Sequence, residues 1–143
     1  MSPAEDADIE AIARRLLDLT LPKAMWNHGA HFAAALWLCR HRPDLAEPSA
    51  IRRIITRYNE ATGTPNNDSS GYHHTITLAS MRATVDHLRR CPTGISLRDA
   101  HSMLMASDLG RPGWLLAYWS EAVLFSVAAR RDWVEPDLGP LPY

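Results

Sequence analysis

The chain has 143 residues, enough for one core and too few for two comfortable ones. At 46% hydrophobic and 22% charged it has the composition of a folded globular domain and is too apolar for disorder. Against 16 Asp and Glu stand 15 Lys and Arg, a formal charge of −1, which excludes a generic electrostatic grip on nucleic acid or an anionic membrane surface.

In chain order, Ile9, Ile12, Ala13, Leu16 and Leu17 recur at helical spacing, with Asp6 or Asp8 as the start, and Leu21-Pro22 ends the pattern. A second helix is expected from about Lys23 to His41, stopping before Pro43 because the residue preceding a proline leaves helical geometry. It is apolar on most sides between Ala30 and Cys39, the mark of a central helix. A third helix is expected over Pro48 to Ala61, with Ile51, Ile54, Ile55 and Tyr58 facing inward. Thr62 to Gly71 is the densest run of turn formers. A fourth helix follows from about Tyr72 to Arg90. Its Thr75-Ile76-Thr77-Leu78 start alternates like a strand, but no partner strand is present elsewhere.

Ser96 and Asp99 have the spacing of an N-cap and its acidic partner, opening a short helix to about Ser107. Pro112 to Tyr118 and Ser120 to Arg131 add one or two helical pieces. The proline-rich tail from Trp133 onward is extended, laid across the bundle by Trp133, Val134, Leu138 and Leu141. The expectation is an all-α fold: a compact bundle of about five to six helices with the C-terminal tail packed on it, a single helical domain over residues 1–143.

The longest apolar run, Gly29 to Cys39, covers half a bilayer and is followed by Arg40, His41 and Arg42. The acidic N-terminus lacks the layout of a secretory signal, and Cys39 and Cys91 are too few for a disulfide scaffold. A cytoplasmic protein with reduced thiols, without nucleic-acid or membrane partners, is expected. Cys91, beside Pro92 and outside any evident basic or histidine environment, is not expected to be a catalytic thiol. No GxSxG or phosphate-loop motif is present.

The unusual count is seven histidines. His28 and His31 share one face of the second helix, a face continued by Phe32 and Ala35. His73 and His74 begin the fourth and diverge by about 100°. His74 lines up with Leu78, Met81, Val85 and Leu88, whereas His73 lines up with Ile76, Thr77, Ser80 and Thr84, a mixed stripe of the kind that walls a polar pocket. In an up-and-down bundle the starts of helices two and four meet the end of helix three, where Asn59 and Glu60 lie. Imidazoles and a carboxylate at one level of a bundle core are a known way to hold a metal. Cys39 lies about 16 Å along the axis from His28, too far to join them. Buried neutral histidines also satisfy themselves on backbone carbonyls or Thr hydroxyls, so a polar core stands beside the metal reading. His41, His87 and His101 are expected to be solvated or capping residues.

The segment from Trp26 to Trp37 with its HxxH, the Gly71–Thr77 segment GYHHTIT and the tail WVEPDLGPLP together resemble a family of small bacterial proteins of unknown function that carries a Tyr-His-Glu-Thr-Ile-Thr signature. The resemblance runs from Trp26 onward, through His28 and His31 and through Tyr72, His73, Thr75, Ile76 and Thr77. His74 stands where that signature has Glu. It implies no particular chemistry. A looser likeness, of architecture alone, is to DinB-type bundles that hold a metal with three histidines.

Two functions remain, so whether the chain is an enzyme stays open. In one, His28, His31 and His73, with Glu60 or His74, hold a divalent transition metal (zinc, iron, manganese or nickel) that activates water or a small substrate. Tyr72 and Thr77 would be donors behind the imidazoles, and Asn59 would line the pocket. In the other, the polar end pocket, including the Thr62–Gly71 loop, binds a small molecule or a protein partner with no cofactor and its histidines belong to the core. A homodimer through an exposed apolar helix face is compatible with a chain this small.

Overall fold

The computed structural model describes residues 3–143, and among them it is all-α: seven α-helices, four 3-10 turns and no strand. Helix α1 (Pro3–Leu17) starts ahead of the expected Asp6 or Asp8 and buries Ile9, Ala13 and Leu16. Helix α2 (His28–His41) is shorter than the Lys23–His41 expectation. Lys23–Met25 form a separate 3-10 turn, and extended Asn27 caps α2 by accepting a hydrogen bond from the Ala30 amide at 2.9 Å. A 3-10 turn at Pro43–Ala46 leads into α3 (Pro48–Ala61), which has its expected bounds and Pro48 in its first turn.

Helix α4 (His74–Arg90) begins two residues later than Tyr72 because His73 is its N-cap, Nδ1 accepting from the Ile76 amide at 3.2 Å. Helix α5 (Leu97–Ala106) is capped by the Ser96 hydroxyl on the Asp99 amide at 2.9 Å. The turns Asp108–Gly110 and Trp114–Ala117 follow. The stretch expected as one piece from Ser120 to Arg131 is two short helices, α6 (Glu121–Leu124) and α7 (Val127–Arg131), because Ser126 interrupts it and caps the second.

Helix α2 is the central element, buried continuously from Phe32 to Leu38, and packs on α1, α4 and α5. Helix α3 packs on α1 and on the Pro43–Ala46 turn and stands off from α2 and α4. The tail closes the other side of α4. The Thr75 hydroxyl donates to the Asp132 carbonyl at 2.8 Å and accepts from the Val134 amide at 3.1 Å, while Trp119 Nε1 donates to the Val134 carbonyl at 2.9 Å. The Trp133 ring meets Trp119 edge-on at 5.7 Å and lies 4.1 Å from the Arg82 guanidinium. Leu138, expected to pack, is 59% exposed; its backbone amide, bonded to the Tyr118 carbonyl, holds the tail there instead. Among the described residues no helix is long and apolar enough to cross a membrane.

Candidate functional site

The gap that α3 leaves against α2 and α4 is a cavity of about 520 Å³, within the size range of small-molecule sites. Helix α2 contributes His28, His31, Ala35 and Leu38. Helix α3 contributes Ile51, Ile55, Tyr58 and Asn59, and α4, with its cap, contributes His73, Thr77 and Met81. Trp114, Leu115 and Phe125 from the second half of the chain complete the wall.

The convergence expected at one end of the bundle is present in the contacts. The Trp26 ring, just before α2, meets Tyr58 near the end of α3 at 5.4 Å, and the Tyr58 hydroxyl donates to the Leu21 carbonyl at 2.8 Å. Asn66 ties the end of α3 to the start of α4. Its Oδ1 accepts from Asn59 Nδ2 at 2.9 Å and from the Tyr72 amide at 3.0 Å, and its Nδ2 donates to the Thr56 carbonyl at 3.0 Å. Arg130 holds the loop's other side, Nη1 donating to the Gly71 and Tyr72 carbonyls at 3.1 and 3.3 Å.

The histidines divide sharply by what their ring nitrogens do. His73 has both engaged: Nδ1 caps α4, so Nε2 carries the proton and donates to the Leu124 carbonyl at 2.6 Å. His28 Nε2 donates to the Leu109 carbonyl at 2.7 Å. His74 faces away from the cavity and hydrogen-bonds through Nδ1 with the Tyr72 hydroxyl at 2.7 Å. His31 differs from these. Neither of its ring nitrogens meets a protein partner among the described residues, and the ring stacks on Trp26 at 3.8 Å. The ring is exposed rather than enclosed, and it lines the cavity.

Burial, with His28 close by, holds the His31 imidazole down to about 4, so it is neutral across the physiological range. Burial also lowers His73 and His74, with Arg130 and Arg52 respectively adding to the effect. Burial pushes the Tyr72 phenol up to about 12, so it keeps its proton.

The ligand set expected from sequence is therefore not assembled as one. Among the described residues no three His, Cys, Asp or Glu side chains come together to hold a metal. Glu60 is exposed and outside the cavity, because one step along α3 turns it away from Asn59, which is buried. Both His73 nitrogens are already spent inside the protein, and His74, bonded to Tyr72 through Nδ1, lies outside the cavity lining. Tyr72 and Thr77 do not back the cavity's imidazoles: the first bonds His74, and the Thr77 hydroxyl donates to the His73 backbone carbonyl at 2.7 Å.

His87 and His101 are neither solvated nor capping. They are half-buried and bond the Ala100 and Gly29 carbonyls, each at 2.8 Å. Cys91 does have a histidine neighbour, with His87 Nε2 at 3.6 Å from its sulfur.

Sequence reading missed Trp26, Asn66, Arg130 and Lys23. Asn66, inside the turn-rich run, carried a visible signal as a residue type that bonds backbone. Arg130 carried none, since its loop partners lie 58 and 59 residues away.

Fold and site together define an all-α domain with an imidazole-lined cavity open to solvent. No family model, no curated protein and no solved structure matches the chain, so the cavity's own residues carry the functional reading.

Proposed function

We propose that this protein is a small-molecule-binding module whose ligand sits, without a metal, in the cavity between α2, α3 and α4. The observation that carries this reading is His31: a neutral imidazole with no protein hydrogen-bond partner, facing a cavity of about 520 Å³. An exposed imidazole that bonds nothing in the protein and lines a ligand-sized space is free to bond a ligand's polar group. Trp26 stacked on the ring holds its orientation, so little ordering remains to be done on binding.

The test uses the neutral fluorescent probe N-phenyl-1-naphthylamine on the full chain. Its emission should rise with the parent protein and not with Ala35→Leu, which places a larger side chain on the cavity-facing stripe of α2. Equal emission with both proteins, or none with either, would overturn the reading. Elemental analysis of untagged protein adds a second arm. Stoichiometric metal that disappears in a folded His28→Ala/His31→Ala variant would replace the metal-free reading with a metal-assisted one.

A further inference from the structure

The cavity is polar at one end and apolar at the other. His31, Asn59 and the cations Lys23 and Arg130 belong to the end where α2 and α4 begin and α3 finishes. The helical rise from His28 to Leu38 is roughly 15 Å, and at the far end Leu38, Ile51 and Met81 line the space. Among the described residues lining the cavity there is no Asp or Glu. Arg130 spends only Nη1 on the Gly71 and Tyr72 carbonyls. Helices α2 and α4, of 14 and 17 residues, both bring their N-terminal, positive ends to this level. Asn27 and His73 cap those ends, so the groups still open there are Lys23, the rest of the Arg130 guanidinium and the exposed, unpartnered His31.

From this we infer that the ligand is an amphipathic organic anion. It is a carboxylate on an alkyl or aryl-alkyl body, its head among Lys23, His31 and Arg130 and its body running along α2 toward Leu38 and Met81. The inference rests on the cavity being a ligand site, as proposed above. A cationic head would meet two like charges and no counter-charge, and a neutral head would bring no counter-charge to either cation.

Decanoate, decan-1-ol and decylamine, which share one apolar body, are to be compared as displacers of N-phenyl-1-naphthylamine from the full chain. Decanoate should displace the probe at about a tenfold lower concentration than decanol, with decylamine the weakest. Lys23 is exposed, so Lys23→Gln keeps the fold. That variant should cut the advantage of decanoate over decanol by roughly threefold, the size of a partly screened charge contact. If the probe binds but decanol matches decanoate, or decylamine displaces best, the anion inference is overturned while the cavity reading stands. If neither the probe nor any decyl compound binds, the cavity reading fails and the inference falls with it.

Discussion

His31 and His28 have the same residue type and adjoining positions on one helix face, yet only one has an internal partner. The difference lies in what packs over each ring. His28 reaches the Leu109 carbonyl and His31 meets the face of Trp26, which offers no acceptor. The same carbonyl-seeking geometry recurs at His73, His87 and His101. The sequence shows that His28 and His31 share a face and that His73 tops a polar stripe. It does not show the partners, because the carbonyls that satisfy His28, His73 and His101 come from 51 to 81 residues away.

The depressed His31 value has a consequence for stability. The folded ring titrates near 4 and an unfolded one near 6.5, so the unfolded chain takes up the proton first as pH falls. The contribution is fully present above about pH 6.5 and is lost progressively down to about pH 4. The full shift would correspond to about 3 kcal/mol. Because the ring is open to the cavity, solvent screening reduces this to about 1 kcal/mol. Urea unfolding at pH 7.5 and pH 4.5 should therefore show a larger acid loss for the parent than for His31→Gln, by about that amount. Equal losses would mean that the folded ring titrates normally.

Helix ends were less legible than helix bodies. The bodies of α2, α3 and α4 are written in apolar spacing, and α3 has its expected bounds. The breaks at Asn27, His73 and Ser126 are single side chains accepting a nearby amide, and each could equally have continued a helix. The Thr62–Gly71 loop was legible as a turn region beside the pocket, but the role of Asn66 was not, because its bonds join the end of α3 to Tyr72.

Removing those bonds with Asn66→Ala leaves the Asn59 amide, the Thr56 carbonyl and the Tyr72 amide without their partner. A loss of about 2–4 kcal/mol is expected, read as a lower midpoint in urea. A change below about 0.5 kcal/mol would show that the loop does not depend on it. Two glycines in the same loop give a sharper contrast. Gly63 and Gly71 have φ of +80° and +79°, but a Cβ on Gly63 meets nothing, whereas one on Gly71 collides with the Pro65 carbonyl oxygen and Asn66. Gly63→Ala should cost about 1 kcal/mol, the left-handed penalty alone. Gly71→Ala should cost about 2–3 kcal/mol and weaken probe binding as well, since Gly71 lines the cavity. Matching costs for the two would show that backbone conformation, not the close approach, sets both.

At the scale of the whole molecule, the expectation of an all-α bundle with its tail packed on it holds, for a physical reason that composition alone does not supply. The tail's prolines prevent a helix, and the unsatisfied backbone of Asp132 and Val134 finds Thr75 and Trp119 instead. The cavity was not legible as a volume. Apolar spacing says which faces turn inward, and whether two inward faces touch depends on side-chain sizes across a gap that the sequence does not measure. Here α2 presents Ala34 and Ala35 to the space beside α3, and small residues there leave room where leucines would have filled it.

This absence of filling separates stability from binding. Ala35→Leu adds apolar contacts in a space that already exists, so the fold should be retained with stability unchanged or raised by about 1 kcal/mol. A ligand present at about 100 times its Kd stabilises the parent by about 2.7 kcal/mol, a rise in Tm of several degrees, on the order of 5–10 °C. The same concentration should leave the Ala35→Leu Tm where it was. Calorimetric scans of both proteins with and without decanoate make the comparison. A variant that is strongly destabilised would show that the space is too tight to be a ligand site, and one that gains the same rise as the parent would place the ligand elsewhere on the molecule.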